Sequence, residues 1–146
     1  MSDLHIEDFF KDSARILLRL YNHFPRPTQL FVEDIIGPEE PDEFGLFSPR
    51  YQSCFSTMLW LAHEGYLTYE TTIRQDAIDQ AVLTAPCLLR LTLPQTQDSK
   101  DLEAAARVNA IRDALKSQSS AELRRAMLGF LAISSGDTAI HPRSRS

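Results

Sequence analysis

The stretch Ser48 to Thr84, SPRYQSCFSTMLWLAHEGYLTYETTIRQDAIDQAVLT, constrains the fold more than any other part of the 146-residue chain. Ser48 is a natural N-cap, and Pro49 suits the first helical position, where its missing N–H would go unpaired in any case. No further proline or glycine interrupts until Gly65, which fits the left-handed position just past a helix end. Tyr66 to Thr72 is then rich in aromatic and β-branched residues, as a strand requires. Ala81-Val82-Leu83 supplies a short apolar return strand, with the polar segment between them as the tip. The pattern is one long helix, a tight exit and a hairpin.

On a 3.6-residue wheel, Tyr51, Cys54, Phe55, Met58, Leu61 and Ala62 form the inner face of that helix. Gln52, Ser53, Ser56 and His63 form a polar strip, and Leu59 and Trp60 are left outside the inner face. An indole with no place in the domain's own core implies cover by the C-terminal helices or by a second chain.

Upstream, Ile6, Phe9, Phe10, Leu17, Leu20, Tyr21 and Phe24 recur at three- and four-residue spacing and predict a helix over residues 4–24, with Asp3 as its cap. Asp8, Lys11, Asp12, Arg15 and Arg19 read as its solvated face. Pro25-Arg26-Pro27 ends it. Thr28 to Ile36 reads as a short extended piece followed by a short helix, stopped at Gly37-Pro38. GPEEPDEFGLF is a loop with four acids and no base. Its expected role is a solubilising surface or a segment that reports on, or blocks, the neighbouring face.

Helix, Gly, strand, loop, strand resembles the second half of a winged helix-turn-helix domain. The likeness is carried by Cys54, Met58 and Leu61, then Glu64-Gly65-Tyr66-Leu67, then Val82-Leu83-Thr84, and it spans residues 6–91. LTAPCLLRL resembles the LTxxGxxxL segment that often follows a wing, with Cys87 where glycine is commoner. The resemblance implies a mainly α fold with a small β-hairpin (α+β) over residues 1–93. It also implies that the long helix reads DNA and that the hairpin is the wing. Arg50, Gln52, Ser53 and Ser56 would then lie near bases, with Arg74 and Gln75 on the wing and Arg26 before the second helix holding phosphates.

Residues 94–134 predict two further helices. Ser99 to Lys116 is dense in helix formers, and Ser119-Ser120-Ala121-Glu122 matches a capping box that opens a last helix to about Ile133. Leu102, Ile111, Leu115, Leu123, Met127, Phe130 and Leu131 would bury their faces in a helical hairpin that dimerises or packs back on the same chain's long helix, with Trp60 in that contact. Residues 135–146 are polar and read as a disordered tail.

The net charge of −5 includes no obvious basic stripe, which argues against a protein held mainly by phosphates. No run of about 18 apolar residues can span a bilayer, and the acidic N-terminus lacks a signal pattern, so a cytoplasmic location is expected. The two cysteines make no disulfide framework, and no CxxC or HExxH spacing points to zinc. Five scattered glycines make no phosphate loop, and no nucleophile elbow is present. No enzyme activity, metal or cofactor is expected. The leading expectation is a dimeric, bacterial-type DNA-binding transcription regulator; the alternative is a module of the same fold that binds protein at the long helix.

Overall fold

The computed structural model describes residues 3–94 and 106–132. The chain divides into two compact units, Met1–Thr84 and Ala85–Ser146. It is an α+β protein, mainly helical with a small antiparallel sheet.

The first unit runs α1 (Leu4–His23), β1 (Thr28–Phe31), α2 (Val32–Ile36), α3 (Pro49–His63), β2 (Leu67–Thr68), β3 (Thr71–Ile73) and β4 (Ala77–Leu83). α3 packs against α1 and α2, and α1 also packs on β4. Phe10, Ala14, Ile16 and Leu17 from α1 meet the core, as do Leu30, Val32, Cys54, Met58, Leu61 and Ile78. Asp3 precedes α1 without a side-chain cap; its carbonyl accepts from the N–H groups of Ile6 and Glu7.

α3 begins and ends as its sequence requires. The Ser48 hydroxyl accepts from the Tyr51 N–H at 3.2 Å. At the far end Gly65 has φ +87. The Tyr66 N–H donates to the Leu61 carbonyl and the Gly65 N–H to the Ala62 carbonyl. This pair of bonds satisfies the last turn, and the left-handed residue they demand is why glycine stands there. Thr57 is buried on α3 because its hydroxyl donates to the Ser53 carbonyl at 2.9 Å.

β4 lies at the centre of the sheet, antiparallel to β1 on one side and to β2 and β3 on the other. The return strand is longer than its sequence suggests: it begins at Ala77, and the hairpin tip shrinks to Arg74, Gln75 and Asp76. The reason is a bulge. Thr28 pairs with Ala81 but Leu30 with Ile78, so β4 carries one residue more than β1 there. Gln80 absorbs it with φ +58, and its N–H donates to the Asp79 carboxylate at 3.0 Å. The extra residue restores Ile78 and Ala81 to the same buried face although they stand three apart.

The second unit contains α4 (Ala85–Thr92), α5 (Arg107–Ser117) and α6 (Ser120–Leu131). The sequence places α4 at the end of a first domain that closes at residue 93. It packs on α5 instead, and the division falls after Thr84. Ala106 is extended and bridges to Pro94, and within the described residues α5 begins at Arg107. Residues 95–105 and 133–146, including Leu102 and the proposed tail, lie outside the described residues. The Ser119 hydroxyl accepts from the Glu122 N–H at 3.2 Å, the cap its sequence implies. α5 and α6 pack on each other around Val108, Ile111, Leu123, Met127 and Phe130. Among the described residues no helix is long and apolar enough to cross a membrane.

Candidate interaction cleft

The loop entering α3 is built, not slack. Glu39 folds back on the helix start, where its carboxylate accepts from the Ser48 N–H at 2.6 Å and the Ser48 hydroxyl at 2.7 Å. A carboxylate there also opposes the positive end of the helix dipole. Asp42 accepts from the N–H groups of Phe44 and Leu46, each at 2.9 Å, and Gly45 turns the chain at φ +79. This closed turn leaves Phe44 78% and Leu46 60% exposed. Phe47 then stacks on Tyr51, with ring centroids 3.9 Å apart, and Gln52 Nε2 donates to the Phe47 carbonyl at 2.9 Å.

From the other side, the hairpin tip is pinned to the same helix. Tyr51 Oη donates to Asp76 Oδ1 at 2.9 Å, Arg74 Nε approaches Asp76 Oδ2 at 3.3 Å, and the Val32 N–H donates to the Asp76 carbonyl at 2.8 Å. Between loop, helix and tip lies a cleft of about 550 Å³. Leu46, Phe47, Tyr51, Phe55 and Leu59 form its apolar part, and Gln52, Ser56, Arg74, Gln75 and Asp76 its polar edge.

Four of the seven residues assigned to DNA from sequence, Gln52, Ser56, Arg74 and Gln75, therefore share one cleft. The other three do not join them. Arg50 turns back to α1, where its guanidinium makes two bonds of 2.6 Å to the two oxygens of Asp12 and lies 3.5 Å from Asp8. The bond to Asp12, with the Asp12 and Asp8 charges behind it, raises the Arg50 pKa further against the opposing effect of burial. Asp12, read as part of a solvated face, is fully buried. Ser53 lies on a separate shallow depression with His5, Ile6, Phe9, Thr57 and Trp60, which Ser56 also borders. Arg26 is exposed in the turn joining α1 to β1 and does not line the cleft.

Three carboxylates act on Tyr51 at the cleft floor. Burial raises the Tyr51 pKa first, and its hydrogen bond to Asp76 and the charges of Asp76, Glu33 and Glu39 raise it further. Those carboxylates reach it from the hairpin, α2 and the loop. Arg74 is the one cation among the residues lining the cleft, and Asp76 is beside it.

The residues assigned to a dimer interface have the following places in the single chain. Trp60 finds company in its own unit: Phe9 meets it edge-on at 5.2 Å and Tyr66 stacks at 6.1 Å, leaving the indole 39% exposed. Ile111, Leu123, Met127 and Phe130 are already buried in the single chain, and Leu115 and Leu131 are half-buried. Among the described residues no three His, Cys, Asp or Glu side chains gather to hold a metal.

Sequence reasoning missed Asp12, Phe44 and Leu46. Asp12 had a signal: it stands four residues before Ile16 and eight before Leu20, in a second buried row of α1. Phe44 and Leu46 had none beyond being apolar in an acidic loop. The chain matches no family model, no curated protein and no solved structure.

Proposed function

We propose that this chain is a winged-helix module whose cleft beside α3 binds protein. The element order of the first unit, helix, strand, helix, long helix and hairpin, supports the winged-helix reading. One observation carries the choice of protein over DNA: Arg50, the cation in the first two turns of α3, is held by Asp12 and Asp8. That leaves Arg74 alone at the cleft, with Asp76 on it.

The magnitudes favour the same side. DNA-binding modules that depend on phosphates make about 6–10 such contacts, each adding about −0.9 to the salt slope. One compromised cation at the cleft supplies about one. An acidic loop with exposed Phe44 and Leu46 repels phosphate and offers apolar area that a duplex does not use. Ile111, Leu123, Met127 and Phe130 are buried within a single chain, which favours a monomeric working form in the cytoplasm.

The convergence of Gln52, Ser56, Arg74 and Gln75 favours the second reading, a DNA-binding regulator. Two experiments separate them. Anisotropy with a pool of random-sequence duplexes at about 50 mM salt is expected to show no binding. A photo-crosslinking residue in place of Gln75, in the expressed full chain, is expected to trap protein. Adducts removed by nuclease, or duplex binding lost on Arg74→Ala, would establish DNA instead.

A further inference from the structure

Three features of the cleft specify its occupant beyond "protein". First, it has an apolar interior and fixed walls. The volume of about 550 Å³ falls within the roughly 300–1,000 Å³ of sites that seat bulky groups. Its two sides are tied to α3 by the Gln52 and Tyr51 hydrogen bonds, so it exists before any partner arrives. Second, the loop that supplies one wall of the cleft through Gly45, Leu46 and Phe47 is acidic. Glu40 and Glu43 are exposed, and no hydrogen bond or ion pair among the described residues engages either carboxylate. Asp42 holds the turn between them, and the loop carries no base to offset them. Third, Phe44 and Leu46 stand out from this turn into water. Apolar side chains set among carboxylates suit a partner that is both greasy and positive.

We propose that the occupant is a cationic amphipathic peptide segment of another protein, its bulky apolar side chain seated against Phe55 and Leu59 and its Lys or Arg side chains over Glu40 and Glu43. The inference rests on the protein-binding reading above. Leu46 on the cleft wall and Phe44 beside it cover the rest of the segment's apolar stripe. Ser56 and Gln75, both exposed on its edge, meet the segment's polar groups. This is the groove-binding mode of amphipathic segments, in which apolar anchors give affinity. The charges select the partner's sign and speed its approach. An anionic segment would meet Glu40, Asp42, Glu43 and Asp76 with only Arg74 in its favour.

The test uses the full chain and three dye-labelled synthetic peptides of about four helical turns. One has Leu at helical spacing with Lys elsewhere, the second has Glu in place of every Lys, and the third has Ser in place of every Leu. In anisotropy titrations the Leu/Lys peptide is expected to bind, the Leu/Glu peptide at least about tenfold more weakly, and the Ser/Lys peptide not at all. Leu59→Asn is expected to abolish binding with the circular dichroism unchanged. Glu40→Lys with Glu43→Lys is expected to weaken the Leu/Lys peptide about tenfold, the size of two exposed ion pairs. Binding that survives Leu59→Asn, or no binding of the Leu/Lys peptide at all, overturns the assignment. Equal binding of the Leu/Glu peptide, lost on Leu59→Asn, overturns the choice of charge while leaving a protein-binding cleft. Direct binding of a dye-labelled duplex to the chain at moderate salt, measured without peptide, overturns the protein-binding reading itself.

Discussion

Arg50→Ala separates the structural account of this residue from its assignment to DNA. The Asp12 side chain is fully inaccessible, and the Arg50 guanidinium meets both of its oxygens at 2.6 Å. Removing the guanidinium leaves a carboxylate in the core, and Asp8, with the same sign, makes matters worse. Breaking a buried pair from one side costs about 3–5 kcal/mol. The Arg50 side chain is itself 31% exposed, so water can enter where it stood, and the lower figure of about 3 kcal/mol applies. For a unit of this size each kcal/mol shifts the midpoint by roughly 4–8 °C, so a fall of about 12–24 °C is expected. Thermal melts followed by circular dichroism measure it. Arg50→Lys should recover part of the loss, since an ammonium supplies charge without the two-pronged geometry. Arg50→Met with Asp12→Leu should recover most of it, because the buried charge is then gone. Arg74→Ala is the control: with its side chain 85% exposed, loss of the Asp76 pair should cost no more than about 1 kcal/mol. A loss below about 1 kcal/mol for Arg50→Ala would refute the argument that Asp12 depends on it.

Other outcomes follow from the same structure. Burial pushes the Cys54 and Cys87 thiols up from the ordinary 9.0 to about 12, so neither should react with a thiol reagent at neutral pH until the chain unfolds. Between those values the unfolded chain has lost protons that the folded chain keeps, so stability should fall as pH rises from 9.0 to about 12. The raised Tyr51 pKa adds to the same trend, and urea midpoints for the wild type and for Cys54→Ala with Cys87→Ala would separate the contributions. Gln80→Gly should raise stability by about 0.5–1 kcal/mol by relieving the left-handed backbone at φ +58, whereas Gln80→Val should lower it. Light scattering should give the mass of a single chain; a dimer whose mass halves on substituting exposed Leu128 would assign that residue to an interface.

Much of the fold could be read from local chemistry. Ser48 and Pro49 opened α3 and Gly65 closed it, because caps and left-handed exits depend on the residues at those positions. The break at Gly37 and the cap at Ser119 were legible for the same reason. What escaped depends on distant partners. Asp12 looked like a surface charge because its counter-ion is Arg50, thirty-eight positions on. Trp60 looked homeless because Phe9 comes from another helix and Tyr66 from beyond the helix exit. The long β4 was hidden by Gln80, which holds a backbone shape normally marked by glycine and so breaks the alternation that reveals a strand. α4 was joined to the first unit because chain order was followed, whereas it packs on α5. In the cleft, Gln52, Ser56, Arg74 and Gln75 were found as polar residues on a helix edge and a hairpin tip. The acids of the loop were legible too; that Glu33 of α2 and Asp76 of the hairpin join Glu39 around Tyr51 was not, because they come from separate elements.

The most direct measurement is amide-resolved NMR of the full chain during two titrations, one with the Leu/Lys peptide and one with a random-sequence duplex at about 50 mM salt. The account requires the peptide to move the amides of Gln52, Ser56, Leu59, Arg74 and Gln75 while the duplex leaves them in place. Duplex-induced shifts at those residues, fading as salt is raised, would contradict it.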